Sequence, residues 1–324
     1  MVALSARTWW IAVVCALAAF PPHAAGQTYP AKPVRFIVGF APGGTNDFVA
    51  RALAPKLSEL LGQQVVVENR GGGNGAIATE LLVRSLPDGY TLLMTSPGHV
   101  TNPFLTKVNY DPFKDFAHIS LLAESVNLLV VHPSLPVRNV KELIALSRKR
   151  PGDLNYGSSG VGTSVHLSAE LFQVMAGVKW VHVPYRGGAL ATTDMLAGQL
   201  QVYFGNLPQW IEYVRAGKLR ALAVTGAKRS AVASEIPTVA ESGLPGYEVT
   251  AWYGMSAPAA TPRAIVDRLN QVVLQALKTP DVRERLVTAG ADPAGNSPEQ
   301  FTAFIQSESV KWGKVIKAAG IKAE

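Results

Sequence analysis

The feature that most constrains the fold is a rhythm repeated along the chain: a short β-branched apolar run, a turn of glycine or small residues, and an amphipathic helical stretch. The first repeats predict buried strands at 34–40, 64–69 and 90–96, with a helix at 76–85 before the third strand. Strands that alternate with helices form parallel sheets covered by helices on both faces. The chain is therefore predicted to be an α/β protein.

A second series of the same kind begins near residue 126. Its predicted strands are 128–132, 154–158, 180–185, 201–206 and 219–226, and its predicted helices are 140–150, 163–176, 189–197 and 209–216. A proline-rich stretch at 237–262 then precedes two more predicted helices, 263–278 and 298–319. The middle series can form a domain of its own. We predict an inserted lobe at 126–226 within a discontinuous lobe made of 27–125 and 227–324.

Residues 1–26 are predicted to be a signal peptide. Arg7 supplies a positive charge, an uninterrupted apolar run follows it, and Ala24-Ala25-Gly26 places small residues at the cleavage site. The alternative is an uncleaved membrane anchor, although the run is shorter than the roughly 20 residues that cross a bilayer. The single cysteine, Cys15, lies in this segment, so the chain after cleavage carries no thiol and suits an oxidising compartment.

Composition excludes several classes of protein. With 48% hydrophobic and 16% charged residues, the chain is predicted to be globular rather than disordered. The formal net charge is +7, but the basic residues are dispersed and lack interleaved aromatic residues, so no nucleic-acid partner is predicted. One cysteine and six histidines without an H-E-x-x-H spacing predict no metal site, and no cofactor is predicted.

Ligands of open α/β sheets bind beyond the carboxyl ends of the strands, and the first turn at such an end is 40–47, F-A-P-G-G-T-N-D. Its glycines let the backbone approach a ligand, Thr45 or Asn46 is predicted to cap the helix, and the helix start forms an anion site. The turn lacks the lysine of a nucleotide P-loop, which counts against a nucleotide. The candidate ligand-binding residues here are Phe40, Pro42, Gly43, Gly44, Thr45 and Asp47.

Asp47 is an acid in a turn predicted to bind an acid, which leaves two interpretations open. Either its carboxylate favours its own helix N-terminus and points away, or it meets an amine, a hydroxyl or a bound water.

The second turn, 156–166, is rich in hydroxyl groups and glycines. Its predicted donors to a carboxylate are the hydroxyls of Ser158, Ser159 and Thr163 and the backbone amides of Gly160 and Gly162. His166 falls in the first helical turn, where the positive helix end predicts a neutral imidazole that acts either as a donor or as a structural cap. The segment is not G-x-S-x-G, so an exported serine hydrolase that uses Ser158 or Ser159 with His166 is a minor alternative.

Further candidates lie where other strands end. Tyr185, Arg186 and Gly187 follow one strand, and Arg186 either pairs with a carboxylate or is simply exposed. The remaining candidate residues are Asn206, Ser96 and Gly98. Phe40, Tyr185 and Trp210 could form walls of the cleft, although Trp210 lies on a helix where a core position is expected.

The chain resembles the substrate-binding proteins of tripartite tricarboxylate transporters, the Bordetella uptake gene (Bug) family. The resemblance covers essentially the whole mature chain. Its motifs are Tyr29-Pro30, the 40–47 turn, V-E-N-R at 67–70, P-D-G-Y-T at 87–91, Tyr110-Asp111, Pro151-Gly152, V-P-Y-R-G at 183–187, A-G-K-L-R-A-L-A at 216–223, I-P-T-V-A-E at 236–241 and W-Y-G at 252–254. The sequence departs from the family pattern within 69–78, where Gly71, Ala76 and Ala78 replace a proline, an asparagine and a glycine.

This resemblance implies a type II periplasmic binding protein with two α/β lobes joined by crossing strands and a ligand cleft between them. It implies a small organic carboxylate held by the 40–47 turn, partly through ordered waters, with the 158–166 turn closing over it. It further implies a periplasmic location, a monomer, no enzymatic activity, and delivery of the ligand to a membrane permease with a large and a small subunit.

Two questions stay open at this stage. The protein either serves transport or presents its ligand to a sensor's extracellular domain. The ligand is an aliphatic di- or tricarboxylate, an amino acid or an aromatic acid.

Overall fold

A long strand shared by a first and a second sheet organises the protein. The computed structural model describes residues 29–185 and 188–321, so the predicted signal peptide and the candidate residues Arg186 and Gly187 lie outside the described residues. In chain order the strands are β1 (Val34–Val38), β2 (Val65–Asn69), β3 (Thr91–Thr95), β4 (Phe116–Val131), β5 (Asn155–Ser158), β6 (Val181–Pro184), β7 (Val202–Asn206), β8 (Arg220–Val224), β9 (Thr250–Pro258) and β10 (Asp292–Pro293).

The helices alternate with these strands through most of the chain. They are α1 (Thr45–Leu61), α2 (Ala76–Val83), α3 (Gly98–Leu105), α4 (Val140–Lys149), α5 (Ser164–Ala176), α6 (Gly188–Leu196), α7 (Leu207–Arg215), α8 (Arg263–Lys278), α9 (Pro280–Thr288) and α10 (Pro298–Ala319). Short 3-10 turns occupy Gly73–Gly75 and Ala231–Ala233.

The first sheet has the order β2-β1-β3-β9-β4, with β10 also paired to β4. Strands β1, β2 and β3 are parallel, whereas β9 runs antiparallel to both of its neighbours. Alternate residues of β1 face opposite layers: Phe36 and Val38 pack with α1 and α8, and Ile37 packs with α2. The sheet with its helices is called the first lobe below.

The second sheet uses the last residues of β4, which pair antiparallel with both β7 and β8, while β5 is parallel to β6 and β7. Buried side chains of α4, α5 and α7 pack on it in one continuous core. Residues 233–249 contribute Ala233, Ile236, Val239, Leu244, Tyr247 and Val249 to the same core. This sheet and its helices are called the second lobe below.

Neighbouring segments of chain link the lobes. Val126 of β4 pairs with Thr250 of β9, and β4 then continues into the second sheet at Asn127. Val249 N–H donates to the carbonyl of Thr225, whose own N–H donates to the carbonyl of Asn127, each at 2.9 Å. The crossing strands are therefore β4 and the start of β9, and the chain passes between the lobes at 126–127 and 249–250, which are called the hinge below.

Helix α10 packs on β4 and contacts both α3 and α5. It begins with a capping box between Ser297 and Gln300. The indole N–H groups of Trp252 and Trp312 both donate to the buried carboxylate of Glu308, at 3.0 and 2.8 Å. The last helix is thereby tied to the strand at the centre of the first sheet.

Most predicted elements are confirmed, and the exceptions have physical causes. The first half of β4 escaped prediction because His118, Ser120 and Glu124 interrupt its apolar pattern. Strand β9 lies inside the stretch predicted to be only proline-rich, because all but its first residue is buried and it shows no alternation. Helix α3 was not predicted either, because it begins at Gly98 directly after a proline and contains Pro103.

The prediction of only two helices after residue 262 is wrong, because Pro280 starts a separate helix, α9, within the described residues. The division into 27–125 with 227–324 and 126–226 stays a prediction. Residues 233–249 pack on the second sheet, although the prediction assigns them to the first lobe.

Candidate functional site

The turns that follow β1, β2, β3 and β5 form a continuous chain of contacts. The side chain of Asn69 donates to the carbonyl of Phe40 at 3.0 Å, which joins the first turn to the loop after β2. A Cβ added to Gly98 at the start of α3 would lie 2.2 Å from the carbonyl oxygen of Asn74 in that loop. Thr101 of α3 donates to the carbonyl of Gly162 at 2.9 Å. The predicted turns of both lobes therefore meet at one cleft.

The first turn leaves the start of α1 without a side-chain cap. Gly44 is the N-cap residue, and no side chain bonds the N–H groups of the first helical turn as a cap. The predicted cap by Thr45 or Asn46 is wrong, because both residues already lie inside the helix. An uncapped start of a 17-residue helix offers N–H donors and the positive end of the helix dipole.

Asp47 holds this turn together. Its carboxylate accepts the N–H of Gly43 at 3.0 Å, the side chain of Arg51 at 2.9 Å and the side-chain amide of Asn69 at 2.9 Å. Burial alone would raise the pKa of Asp47, but these hydrogen bonds outweigh it and hold the pKa below its usual value. The geometry matches the interpretation in which Asp47 points into its own turn, and its contact with a ligand stays a prediction.

Unpartnered polar atoms gather at the carboxyl ends of β1, β2 and β3. Within the described residues, four buried side-chain atoms here have no hydrogen-bond partner: Thr45 Oγ1, Asn46 Oδ1, Asn74 Oδ1 and Thr95 Oγ1. Buried polar groups in proteins are nearly always bonded, so these four atoms are available to bond another molecule. Tyr253 lies beside the Thr45 hydroxyl without meeting hydrogen-bond geometry, and burial raises its pKa.

Of these four residues, Asn46, Asn74 and Thr95 are absent from the candidates taken from the sequence. Thr95 is 1% exposed and precedes the predicted Ser96, which is also buried. The signal that could have found Thr95 is its place as the last residue of a buried strand. Asn74 lies in the stretch that departs from the family pattern, which points to a local change of geometry.

The loop after β2 has an unusual backbone. Gly72, Gly73, Asn74 and Gly75 have positive φ angles of 138°, 56°, 51° and 86°. Asn102 of α3 stabilises this path, because its side-chain amide donates to the carbonyls of Gly73 and Asn74 at 3.1 and 3.2 Å. The aromatic ring of Phe40 packs over Gly75, so Phe40 borders the same loop.

The second turn, at the start of α5, satisfies its own polar groups. Ser158 is fully buried, and its hydroxyl lies 2.7 Å from Nε2 of His182 and accepts the N–H of Gly160 at 3.2 Å. Thr163 caps α5, accepting the N–H of His166 at 3.4 Å and donating to the carbonyl of Gly160 at 2.8 Å. Ser159 donates to Thr163 at 3.3 Å. These predicted donors therefore hold the turn in shape.

His166 belongs to a buried aromatic stack. Its ring lies 4.3 Å from that of His182, which lies 4.8 Å from Tyr156. Burial, with a smaller contribution from His182, lowers the pKa of His166 to about 3, and burial lowers the pKa of His182 to about 4. His166 Nδ1 accepts the N–H of Gly162 at 3.2 Å, so the ring is neutral as expected, although burial rather than the helix end is the main cause.

The geometry gives no support to the hydrolase alternative. The hydroxyl of Ser158 contacts His182 rather than His166, and the residue has no exposed surface. A nucleophile must be reached by its substrate.

The remaining candidates lie around the second lobe. Tyr185 donates its hydroxyl to Asp194 at 2.5 Å, and burial together with that carboxylate raises the pKa of Tyr185 to about 12. Asn206 donates to Asn127 at 2.7 Å, beside the hinge. Trp210 is 1% exposed and stacks on Tyr203, so the expected core position is confirmed.

A metal site and a membrane-spanning helix are both absent from the described part of the chain. Between residues 29 and 321, leaving out 186 and 187, no three His, Cys, Asp or Glu side chains are grouped to hold a metal ion. Over the same residues, every helix is too short or too polar to cross a membrane.

Two α/β lobes joined by crossing strands, with the turns of both meeting at one cleft, define the type II periplasmic binding protein fold. Solved relatives agree with this class. A protein of R. palustris, Rpa4515 with adipate, is 41% identical with a TM-score of 0.87, and the match covers 91% of this chain and 100% of that one. MatC from Rhodopseudomonas palustris with bound malate is 31% identical with a TM-score of 0.83, over 89% and 100% of the chains.

Residues 49–321 match the model of the tripartite tricarboxylate transporter family receptor. The protein BugT of Bordetella pertussis is 35% identical over 315 residues, which are 96% of this chain and 97% of BugT. The chain belongs to the tripartite tricarboxylate transporter receptor (Bug) family of solute-binding proteins. The family resemblance and the fold class predicted from the sequence are confirmed.

Proposed function

We propose that this protein captures a small organic carboxylate in the periplasm, between its two lobes, and delivers it chemically unchanged to a membrane permease of the tripartite tricarboxylate transporter type. The ligand would bind at the start of α1, with the α5 turn of the second lobe closing over it.

The observation that carries this proposal is the group of unpartnered polar atoms beside the uncapped start of α1. The hydroxyls of Thr45 and Thr95 and the N–H groups of the helix donate hydrogen bonds, which a carboxylate accepts. Asn46 and Asn74 each bring a side-chain oxygen that accepts. This mixture suits a carboxylate that is accompanied by ordered water or carries a hydroxyl group.

The relatives support the same ligand class. Rpa4515 has been solved with adipate and MatC with malate, and both molecules are small organic acids. The second lobe would add few side-chain donors, since its turn is already bonded internally. We propose that it contributes backbone N–H groups and shape.

Thermal unfolding against a panel of ligands tests the carboxylate. A ligand at 100 times its dissociation constant adds about 2.7 kcal/mol to the free energy of unfolding. We expect mono- and dicarboxylates from the panel to raise the melting temperature, and sugars, nucleotides and inorganic phosphate to leave it unchanged. A shift with a sugar or a nucleotide and none with any carboxylate would overturn the proposal.

Thr45→Val tests where the carboxylate binds, and Thr261→Val is its matched control. Both threonines are buried and both hydroxyls lack a partner within the described residues, but Thr261 lies beyond the far end of β9, at the opposite edge of the first sheet. We expect Thr45→Val to weaken binding by about tenfold or more and Thr261→Val to leave it unchanged. Equal effects of the two substitutions would place the ligand elsewhere.

Export and delivery have separate tests. Protein recovered from the periplasm should begin near Gln27 on N-terminal sequencing, because cleavage is expected after Gly26. Deleting the gene should abolish uptake of the carboxylate that stabilises the purified protein. Unchanged uptake in the deletion strain would argue against a transport role.

A further inference from the structure

A direct, buried hydrogen bond joins the two lobes. The hydroxyl of Thr101, on α3 of the first lobe, donates to the carbonyl of Gly162, in the α5 turn of the second lobe, at 2.9 Å. Thr101 is fully buried. The bond involves no ligand atom, so it forms whenever the lobes are in this arrangement.

Gly162 is closely packed, and its backbone conformation favours glycine. Its φ angle of +78° lies in the left-handed region. A Cβ at this position would lie 2.5 Å from Leu105 Cδ1, 3.0 Å from Asn74 Nδ2 and 3.2 Å from Thr101 Oγ1. The Gly162 backbone therefore enters a recess built by three side chains of the first lobe.

Each side of this contact is held by bonds within its own lobe. On the first lobe, Asn102 ties the loop at Asn74 to α3. On the second lobe, the N–H of Gly162 donates to His166 Nδ1, and Thr163 bonds the carbonyl of Gly160. Each surface is thus held within its own lobe, so a rotation at the hinge, 126–127 with 249–250, would join or separate the two surfaces as a unit.

We propose that Thr101 and Gly162 form a latch that sets the fraction of unliganded protein in the closed arrangement, and so scales the affinity for every ligand by one common factor. The proposal rests on the proposed function, in which ligand binds between the lobes. If only the closed form binds tightly, the apparent dissociation constant is the intrinsic one divided by the closed fraction. Thr101 is then a positioning residue that acts through closure and does not touch the ligand.

Thr101→Val tests the latch, because valine keeps the shape of threonine and removes the donor. Small-angle X-ray scattering of the unliganded variant should give a larger radius of gyration than the unliganded wild type. Saturating ligand should restore the wild-type liganded value. Affinities for all bound carboxylates should fall by the same factor, about 3- to 10-fold, which is the usual effect of one neutral hydrogen bond. The loss should appear mainly as faster dissociation.

A second variant and a control complete the test. Gly162→Ala places a methyl group in the recess and should open the unliganded protein further, with a larger loss of affinity. Thr45→Val should weaken binding without changing the scattering of the unliganded protein. Equal radii of gyration for unliganded wild type, Thr101→Val and Gly162→Ala would overturn the latch, as would affinity losses in Thr101→Val that differ from ligand to ligand.

The scattering measurement on unliganded protein separates this proposal from the proposed function. If no carboxylate binds the wild type, the proposed function fails, while a difference in radius between wild type and Thr101→Val still supports the latch.

Discussion

The two helix starts that meet in the cleft look alike in sequence and differ in structure. Both α1 and α5 follow a short strand and a glycine-rich turn. The turn before α1 has few hydroxyl groups, and its helix has no side-chain cap. The turn before α5 has several, and Thr163 caps its helix. The side-chain oxygens of Thr45 and Asn46 at the start of α1 lack partners within the described residues, whereas the hydroxyls of the α5 turn are bonded to their own neighbours.

This difference teaches that a count of donors does not locate a binding surface. A hydroxyl within reach of its own backbone already makes a hydrogen bond there, so it stabilises the turn more than it binds a ligand. Under the proposed function, the first lobe would recognise the ligand and the second lobe would close over it. Substitutions in the two lobes should therefore separate affinity from stability.

The largest expected effect is a loss of folding stability at acid pH. It compares the histidine pairs of the two lobes. In the first lobe, burial lowers the pKa of His99 to about 4, and burial with His99 nearby lowers that of His118 to about 3. In the second lobe, the pKa of His166 is about 3 and that of His182 about 4. Each folded pKa lies below the unfolded value of about 6.5, so unfolding takes up protons. The stability they confer is fully present above pH 6.5 and is lost as pH falls towards 3.

Urea unfolding at pH 7.5 and pH 4.5 measures this effect. We expect the free energy of unfolding to fall by several kcal/mol between the two values. His118→Asn and His182→Asn each remove one titrating group from a different lobe, so each should flatten the dependence on pH. A stability that does not change over this interval would contradict the assignment of neutral, buried histidines.

The next effect separates recognition from turn stability, using Thr95→Val and Thr163→Val. Thr95 has an unpartnered hydroxyl at the end of β3, so its loss should weaken carboxylate binding by about tenfold and change the melting temperature little. Thr163 caps α5, so its loss should cost about 1 kcal/mol of stability and change affinity less than threefold. Calorimetric titration and thermal melts measure both. The reverse pattern would exchange the roles of the lobes.

A smaller effect is expected from Asp47→Asn, which tests whether a charged group of the first turn serves structure. The substitution weakens charge-assisted bonds from Arg51 and from the N–H of Gly43. We expect it to destabilise the protein by about 1 to 2 kcal/mol at pH 7, measured by urea unfolding. Binding of a carboxylate that became tighter by tenfold or more would show instead that the Asp47 charge faces the ligand.

The smallest effect is expected from Tyr185→Phe in the second lobe. The hydroxyl of Tyr185 is already bonded to Asp194, so removing it should change the affinity by less than threefold. Calorimetric titration gives the value, and Asp194→Asn serves as the control for the same bond. A loss of tenfold or more in Tyr185→Phe alone would mean that side chains of the second lobe do recognise the ligand.

The sequence allowed prediction of the α/β class, most helices and strands, and the turns that meet in the cleft, because hydrophobic period and glycine position are local signals. It did not predict the state of the polar groups in those turns. Ser158 and His182 are 24 residues apart, and their contact depends on the pairing of β5 with β6. The N-cap is Gly44 rather than Thr45 because the backbone of Gly44 is extended and the helix begins at Thr45.

The long-range elements were the hardest to predict. The recess for Gly162 is made by Asn74 from the loop after β2 and by Thr101 and Leu105 from α3, which lie between 57 and 88 positions earlier in the chain. Likewise, β9 joins the first sheet only because β3 and β4 leave room for it, which no property of residues 250–258 alone reveals.

The place of β9 between β3 and β4 also bears on the order of events during synthesis. Strands β3 and β4 are not joined in the first sheet until β9, which ends at residue 258, has been made. Helix α10, which links the first sheet to the second lobe, is completed only at residue 319. The strands of the second sheet, which end at Val224, are therefore all made before β9 can join the first sheet. The topology that links the two lobes thus leaves the first sheet, begun at Val34, to be completed last.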